Sequence, residues 1–443
     1  MVRLSRFRVS GLFGEFDHDI PFNEGQRITA LIGPNGLGKT VCLRLINALF
    51  RKHWSILSST DFREIEYEFS DGSVVSVNHR YGGSSDTDVS DALGIEFQTR
   101  ISGSEDIEPW FPRVSEEIPG KLSRIESYLP YITRIGPKSW IHDVTRQTYS
   151  LQELMESFGD QFPDHIVRTL SSNPPPKLNE LISQVDCHLI ETQRLLVLSP
   201  EEGRRMGAAP STFAISRKAQ TLKSVIEREL ANYAATSQSL DRSFPRRVLQ
   251  QGGVSPSESI AASLSELERL RTGLTEAGIL DQEEEDVLPP VDIIDPAVAS
   301  VLNVYVEDTK KKLEVLEKLR SRILLFIELI DERFEPKYVV VEKSVGFFVR
   351  RSSDVVIPLE KLSSGEQHQL VLFFELLFEL RENALILIDE PELSLHISWQ
   401  KQFVSDLKRI IALNGFDVLL ATHSPQLVGE WEDLVVELGD VDD

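Results

Sequence analysis

The sequence predicts an α/β fold, in which a mixed β-sheet surrounds a glycine-rich loop and a helical arm is inserted into the chain. Three observations predict this fold class. A glycine-rich segment near the N-terminus lies between a strand pattern and a helix pattern. An unbroken apolar strand near the C-terminus ends in two acids, which is typical of a buried parallel strand. Residues 201–333 are polar and helix-prone, and they contain few strand signals.

The position of the arm divides the chain into three segments. We expect residues 1–200 and 334–443 to form the two parts of one head, and residues 201–333 to form the inserted helical or coiled-coil arm. A chain of 443 residues is long enough to bury one large core and to carry such an insertion.

Strand and helix patterns follow one another along the first segment. Alternating apolar and polar residues predict a hairpin or meander in the first twenty positions and another hairpin around Asp71-Gly72. Residues 81–109 are rich in Gly, Ser and Asp, which predicts a long loop or weak strands. The other predicted elements are strands over 27–32 and 189–198 and helices over 41–49, 151–162 and 177–185.

The arm carries two apolar seams at heptad spacing. Their members are Ile260, Leu264, Leu267 and Leu274, and then Leu313, Leu316, Ile323, Ile327 and Ile330. Arg271 and Arg320 interrupt the seams, and the acidic stretch 283–290 separates them. Each seam is only two or three heptads long, so we expect a short arm of two antiparallel helices joined at a tip.

Composition limits the classes of partner. The formal net charge is −23, and phosphate backbones are bound mainly by Lys and Arg, so we do not expect this chain alone to bind DNA. Neither a bilayer-spanning apolar run nor a charged-then-apolar leader is found, which predicts a cytoplasmic protein without a membrane segment. Cys42 and Cys187 form no CxxC motif, and we expect both to be buried as small apolar side chains.

The glycine-rich segment reads GPNGLGKT over residues 33–40 and fits the pattern G-x-x-x-x-G-K-[ST]. Its place after a strand and before a helix is the context that a phosphate-binding loop requires. Backbone N–H groups of such a loop surround the phosphates of ATP, and the helix N-terminus adds a positive dipole end. Lys39 would reach the β- and γ-phosphates, and the Thr40 hydroxyl would ligate Mg²⁺. The predicted nucleotide-binding residues of this loop are Gly33, Pro34, Asn35, Gly36, Gly38, Lys39 and Thr40.

Two further motifs lie near the C-terminus. The apolar strand over 384–388 ends in Asp389 and Glu390, a pattern in which the aspartate serves Mg²⁺ and the glutamate deprotonates the attacking water. Residues 362–367, LSSGEQ, precede a predicted helix over 369–380. The small residues at 363–365 permit a close backbone approach, and the helix N-terminus favours an anion.

In this order, the motifs resemble those of ABC-type ATPases, in the form used by the AAA15/AAA21 and OLD (overcoming lysogenisation defect) group. Residues 362–367 resemble the signature motif, 389–396 the Walker B motif and D-loop, and 421–425 the segment of the switch histidine. Residues 190–195 and 244–247 are also similar to that group. Ser364 replaces the usual second glycine of the signature, and the Q-loop glutamine is expected within 125–150.

The resemblance implies a shared catalytic site. ATP would be bound by Lys39 and Thr40 of one head and covered by Ser363 and Gly365 of a second head, as a homodimer or a higher homo-oligomer. Glu390 would be the general base and His423 would contact the γ-phosphate. His396 is expected to have a structural role. The implied cofactors are ATP and Mg²⁺, with Thr40 and Asp389 serving the metal.

Several members of this group remain possible. The arm argues against a transporter ATPase and is too short for an SMC protein, but a RecF-like ATPase acting on DNA remains the alternative. OLD nucleases carry a TOPRIM metal domain after the head, whereas twenty residues follow His423 here, so we expect no nuclease centre in this chain.

The chain most resembles the ATPase subunit of the PARIS anti-phage defence system, with the Septu ATPase as the next candidate. That resemblance implies an ATPase that restrains and then releases a separate effector nuclease encoded by a neighbouring gene. The nuclease would be of the TOPRIM type in PARIS and of the HNH type in Septu. The expected trigger is a phage-encoded protein.

Overall fold

The computed structural model describes residues 2–79, 94–104, 106–113, 129, 131–136, 139–143, 146–158, 162, 172–190, 214–250, 257–281, 296–395, 397–429 and 431–439. The chain forms two compact units. The first unit comprises Met1–Gln193, Ser199–Ala209 and Arg381–Asp443. The second comprises Arg194–Leu198 and Pro210–Leu380, and it therefore continues past the predicted boundary at residue 333.

The strands and helices are numbered in chain order. The strands are β1 Leu4–Leu12, β2 Phe16–Pro21, β3 Ile28–Ile32, β4 Glu64–Phe69, β5 Val74–His79, β6 Ile95–Arg100, β7 Ile107–Trp110, β8 Ile132–Gly136, β9 Ser139–His142, β10 Thr148–Ser150, β11 Cys187–Ile190, β12 Lys337–Glu342, β13 Gly346–Arg351, β14 Val356–Ile357, β15 Leu385–Asp389, β16 Asp417–Thr422 and β17 Val435–Glu437. The helices are α1 Lys39–Arg51, α2 Trp54–Ser59, α3 Leu151–Phe158, α4 Pro176–Ser183, α5 Ala214–Gln250, α6 Ser257–Glu276, α7 Pro296–Phe334, α8 Ser364–Phe374, α9 Ile397–Gln400, α10 Phe403–Asn414 and α11 Pro425–Val428.

A parallel sheet with the strand order β11-β15-β16-β3-β17 lies in the first unit. Its inner strands are apolar and almost wholly buried, as the run over 384–388 predicts. In this register Asp389 lies beside Ala421, and Thr422 lies beside Ile32. The carboxyl ends of β15, β16 and β3 therefore meet at one edge of the sheet, where the predicted motifs begin.

An antiparallel sheet with the order β2-β1-β4-β5-β6-β7 shares one hydrophobic core with this parallel sheet. Helix α1 supplies much of that core, since most of its apolar side chains are buried. The Tyr67 hydroxyl of β4 donates a 2.9 Å hydrogen bond to the Leu45 carbonyl oxygen within α1, which fixes the helix to the antiparallel sheet. The two sheets and the buried helix confirm the predicted α/β class with a core around the glycine-rich loop.

Several sequence predictions near these sheets are corrected or fall outside the description. Strands β6 and β7 occupy part of 81–109, where a long loop or weak strands are predicted, and residues 80–93 are not described. Where a strand over 189–198 is predicted, the structure has β11, Cys187–Ile190. Of the motif over 190–195, only Ile190 is among the described residues. The expected Q-loop region is only partly described, so its position stays a prediction.

The second unit corrects the predicted two-helix arm. Its described residues include three long helices, α5, α6 and α7, and a salt bridge from Asp241 to Lys312 joins α5 to α7. The heptad pattern does not predict α5 as a third helix, because the buried apolar residues of α5 lie only in its first turns, between Ala214 and Ile226. The two seams of α6 and α7 are confirmed as buried at most of their positions.

The arginines that interrupt the seams have polar partners. Arg320 pairs with Glu317 in α7, and Arg271 donates to the Tyr305 hydroxyl at 3.2 Å. A guanidinium at a half-buried seam position is tolerated because its donors are satisfied in this way.

The segment 244–247 has a structural role within α5. Pro245 lies inside the helix and has no N–H to donate to the preceding turn. Arg247 donates to the Leu240 carbonyl oxygen at 2.7 Å and forms a two-pronged ion pair with the buried Asp308 of α7. The arginine thus ties α5 to α7.

The prediction about the two cysteines is borne out in the described residues. Cys42 and Cys187 are free and buried, and burial raises the pKa of the Cys42 thiol to about 12. Over the described ranges, none of the helices is long and apolar enough to cross a membrane.

Candidate functional site

The glycine-rich loop lies in the first unit between β3 and α1. Gly36 and Gly38 have φ angles of 93° and 84°, a region that side chains with a Cβ rarely adopt. A Cβ at Gly33 would lie only 2.4 Å from the Leu438 carbonyl oxygen. Leu438 is held at this position because its N–H donates to the Ile32 carbonyl oxygen at 2.8 Å. These glycines are therefore required by the backbone geometry, and Pro34, Asn35 and Gly36 form the exposed crest of the loop.

Lys39 is buried, and its ammonium spans the loop. It donates to the Gly33 carbonyl oxygen at 2.7 Å and to the Pro34 carbonyl oxygen at 2.8 Å. Burial lowers the pKa of Lys39, against the opposing effect of the nearby carboxylates of Glu390, Asp389 and Glu392. A cation in the first turn of a helix that follows a glycine-rich loop is suited to a phosphate group.

The predicted metal-serving residues meet at the sheet edge. The Thr40 hydroxyl of α1 donates a 3.0 Å hydrogen bond to Asp389 Oδ1 at the end of β15. Among the described residues, no group of three or more His, Cys, Asp and Glu side chains could hold a metal ion. One hydroxyl and one carboxylate fit Mg²⁺, which usually takes few protein ligands and completes its shell with phosphate oxygens and water.

Glu390 and His423 are in direct contact. His423 Nε2 lies 2.9 Å from Glu390 Oε1, and both side chains are partly exposed. The Glu390 N–H donates to the Ala421 carbonyl oxygen at 2.9 Å, which joins the ends of β15 and β16. Glu390 has a φ of 43°, a left-handed conformation that costs a residue other than glycine about 1–2 kcal/mol. The contacts with Ala421 and His423 maintain this conformation and with it the position of the carboxylate.

Glu392 connects the segment after β15 to the segment after β16. Its Oε1 accepts hydrogen bonds from the Thr422 hydroxyl at 2.8 Å and from the His423 N–H at 2.6 Å. Its Oε2 is buried and has no hydrogen-bond partner within the part of the chain that the structure describes. From the sequence, Glu392 is predicted only as one residue of the motif over 389–396, whereas in the structure its carboxylate fixes the backbone of His423.

Gln400 of α9 reinforces this connection. Its Nε2 donates to the carbonyl oxygens of Glu392 and Leu395 at 3.4 and 3.3 Å, and its Oε1 accepts from the Ser424 hydroxyl at 2.9 Å. Gln400 therefore joins the segment after β15 to the segment after β16. His396, predicted to be structural, lies outside the described residues.

Two residues of the first hairpin also belong to this site and were not singled out from the sequence. His18 Nε2 lies 2.7 Å from the Leu37 carbonyl oxygen, and this contact supports the backbone of the glycine-rich loop. Phe13 is 46% exposed, and a Cβ placed on Gly38 would lie 3.6 Å from its ring. An exposed aromatic ring beside a phosphate-binding loop is positioned to cover an apolar part of the nucleotide.

The residues over 362–367 lie in the second unit, where α8 begins. Ser363 is the N-cap of α8 and forms a reciprocal capping box with Glu366. The Gln367 amide donates to the carbonyl oxygens of Glu360 and Leu362 at 3.2 and 2.9 Å, which fastens the preceding turn to the helix. Ser363 and Ser364 are exposed and Gly365 is half-buried, so the start of this helix is accessible.

The structure thus brings together, within the first unit, all the predicted loop residues with Asp389, Glu390 and His423. Ser363 and Gly365 belong to the second unit.

Comparison with known proteins adds to this picture. The family model AAA_15, an AAA ATPase domain, matches residues 257–428. The zinc import ATP-binding protein ZnuC of Pseudomonas fluorescens strain Pf0-1 is 30% identical over 128 residues, which are 28% of this chain and 46% of that protein. The chain therefore spans about half the length of the curated relatives that it matches.

Solved structures of SMC heads also align with the chain. The Smc head domain of Pyrococcus furiosus, bound to the C-terminal domain of ScpA, is 10% identical with a TM-score of 0.34, covering 99% of this chain and 93% of that one. The SMC head domain from Thermotoga maritima is 11% identical with a TM-score of 0.32, covering 99% and 96%.

Residues 257–428 therefore resemble an AAA ATPase domain, and part of the chain is similar to an ABC-type ATP-binding protein, in line with the resemblance that the motifs predict. The finer resemblance, to the ATPases of PARIS or Septu, stays a prediction.

Proposed function

We propose that this chain hydrolyses ATP with Mg²⁺ in a site completed by a second copy of the chain. The observation that carries the proposal is the convergence of two polar pairs, Thr40–Asp389 and Glu390–His423, beside the buried ammonium of Lys39. This set supplies a phosphate-binding cation, a metal-serving hydroxyl and carboxylate, and a base, which are the parts that phosphoryl transfer to water requires.

Each residue has a defined task in this mechanism. Lys39 exchanges its contacts with the loop carbonyl oxygens for contacts with the β- and γ-phosphates. Thr40 and Asp389 would hold Mg²⁺, and the ion would supply positive charge to stabilise the phosphates during hydrolysis. Glu390 orients the attacking water and accepts its proton.

His423 acts beside Glu390. With its Nε2 already 2.9 Å from Glu390 Oε1, it is placed to orient the carboxylate and to contact the γ-phosphate once the nucleotide is bound. Glu392 keeps the His423 backbone in register with Glu390.

The second copy would provide Ser363 and Gly365. The Gly365 N–H lies in the first turn of an eleven-residue helix whose start is accessible, which is the geometry that binds an anion, whereas the Ser363 N–H is already donated to Glu366 Oε2. ATP would therefore join two heads, and hydrolysis would release them.

The cellular role that fits the motifs best is that of an ATPase subunit in an anti-phage defence system. In this role the chain would restrain a separate TOPRIM or HNH nuclease until a phage-encoded protein is sensed. The negative net charge of the chain disfavours direct binding to DNA and is consistent with a protein trigger, although charge does not identify that trigger. A RecF- or SMC-like ATPase acting on DNA would use the same head, and it would differ in a DNA-dependent rise of the ATPase rate.

The test is ATP-dependent association measured by analytical ultracentrifugation. Glu390→Gln should bind ATP and accumulate as a dimer or larger species, because the site closes and hydrolysis no longer opens it. Lys39→Ala should stay in the smaller species at the same ATP concentration. If ATP fails to increase the mass of Glu390→Gln, the shared site is wrong.

A further inference from the structure

Lys337 links the end of α7 to the start of α8 in the second unit. It begins β12, three positions after the last residue of α7, and its ammonium lies 5.9 Å from the ring centre of Phe334. The same ammonium forms an ion pair and hydrogen bond with Glu366 Oε1. Glu366 is only 9% exposed, so this pair is largely removed from solvent.

The other oxygen of Glu366 is used by Ser363. Glu366 Oε2 accepts a 3.0 Å hydrogen bond from the Ser363 N–H and a 2.9 Å hydrogen bond from the Ser363 hydroxyl. Burial disfavours the charged form of Glu366, but the hydrogen bonds from Lys337 and Ser363 outweigh burial and lower its pKa. The carboxylate is thus held charged between one cation and one serine.

This arrangement has a consequence for Ser363. A capping box needs only Ser363 and Glu366, and the capping contact itself does not require a lysine. Lys337 adds a charge-assisted contact that fixes the second carboxylate oxygen and leaves Oε2 aimed at the serine. Without the ammonium, a mostly buried carboxylate has no counter-charge, so it either takes up a proton or rotates towards solvent. Either change alters the position of the Ser363 hydroxyl.

We propose that Lys337 is a positioning residue for ATP hydrolysis, acting through Glu366 on Ser363, which contacts the nucleotide held by a second copy of the chain. This inference rests on the proposed function, because it concerns the signature side of the shared site. Lys337 does not touch the nucleotide.

Three variants separate this role from general stability. Lys337→Met keeps the length of the side chain and removes the charge, and it should lower kcat about ten- to a hundredfold, the equivalent of one lost charged hydrogen bond. Lys337→Arg retains a donor for Glu366 and should keep most of the activity. The matched control is Lys343→Met at the other end of the same hairpin, which breaks the Lys343–Asp281 pair and should leave kcat unchanged.

Binding measurements give the readout that a folding defect would not reproduce. The affinity of the separated chain for a fluorescent ATP analogue should be the same in Lys337→Met and in the unaltered protein, because Lys39 and Thr40 are untouched. Thermal melting checks that the variant is folded. If Lys337→Met proves too unstable, Glu366→Gln replaces it, since it removes the partner charge but keeps the shape of the side chain.

Mixing variants tests whether Lys337 acts across the interface. Lys39→Ala has a defective glycine-rich loop and an intact signature at 362–367. Lys337→Met has an intact glycine-rich loop and a defective signature. In an equal mixture of two-fold dimers, about half of the dimers are heterodimers. Each heterodimer has one intact site of two. The mixture should therefore recover about a quarter of the activity of the unaltered protein. A parallel mixture of Lys39→Ala with Ser363→Arg tests the shared site itself and should recover the same fraction.

The outcomes separate the two claims. Recovery with Ser363→Arg but not with Lys337→Met would show that Lys337 does not act through the signature, and the inference would be wrong while the shared site stands. Recovery in neither mixture would overturn the shared site. Full activity of Lys337→Met alone would also overturn the inference.

Discussion

The sheet edge of the first unit and the start of α8 in the second unit are both organised by polar contacts, but in different ways. At the sheet edge, contacts join segments that are far apart in the chain: Thr40 with Asp389, Glu390 with His423, and Glu392 with Thr422. At the start of α8, Ser363 and Glu366 satisfy one another within a single helical turn, and Lys337 is the distant partner.

This difference separates the part of the proposed ATP site that one chain supplies from the part that needs a second chain. The sheet edge brings a buried cation close to the Thr40–Asp389 and Glu390–His423 pairs, which is the set that the proposed nucleotide site requires of one chain. The start of α8 offers exposed N–H groups and a serine with no phosphate-binding cation of its own, since Lys337 is used by Glu366. Substitutions at the sheet edge should therefore affect binding or chemistry in the same chain, whereas substitutions at α8 should affect only the assembled site.

The largest expected effect is that of Glu390→Gln. Removing a general base should lower kcat about two to four decades, while ATP binding measured by equilibrium titration should persist. Glu64→Gln, on an exposed position of the antiparallel sheet, is the matched control and should leave kcat unchanged. Near-normal turnover of Glu390→Gln would remove Glu390 from its role.

Lys39→Ala should act on binding instead. The loss of a charged donor to the phosphates should weaken ATP binding about ten- to a hundredfold, measured as Kd by isothermal titration. The exposed Lys401→Ala serves as the control and should bind ATP normally. Unchanged Kd in Lys39→Ala would contradict the placement of the phosphates at this loop.

Glu392→Ala should have a smaller effect on the chemistry. It removes the acceptor of the Thr422 hydroxyl and of the His423 N–H, so His423 loses its fixed position beside Glu390. We expect kcat to fall about tenfold with little change in Kd, consistent with the loss of a hydrogen bond to a charged group. The exposed Glu432→Ala is the control, and an equal fall in both variants would argue against a specific role.

Phe13→Ala should produce the smallest effect. If the exposed ring covers the nucleotide base, its removal should raise KM for ATP about two- to tenfold and leave kcat nearly unchanged. Phe13→Trp should restore KM, because it keeps an aromatic surface. A KM that is unchanged in Phe13→Ala would show that the ring covers another ligand or none.

Much of the sheet edge can be predicted from sequence because its residues stand at the ends of strands. Once β3, β15 and β16 are recognised as parallel neighbours, the loop, Asp389 and His423 must lie at the same edge. The contact between Glu390 and His423 needs the actual backbone, including the unusual φ of Glu390, and no spacing rule supplies it.

The support of the signature serine is less visible in the sequence. Lys337 and Glu366 are 29 positions apart, on a strand and on a helix, and neither stands in a repeating pattern. Helix α5 is not predicted as a separate helix for a related reason. Beyond its first turns it has no buried apolar stripe, and its contacts there include ion pairs such as Arg247–Asp308. Periodic burial can be read from sequence, whereas isolated polar pairs between distant elements require the folded chain.

The central claim, that one chain binds ATP and two chains hydrolyse it, is tested most directly by the ATPase rate per chain across a dilution series. Starting from a monomeric preparation at saturating ATP and Mg²⁺, the rate per chain should rise with protein concentration and then level off as heads pair. A rate per chain that stays constant and high throughout the dilution would contradict the shared site.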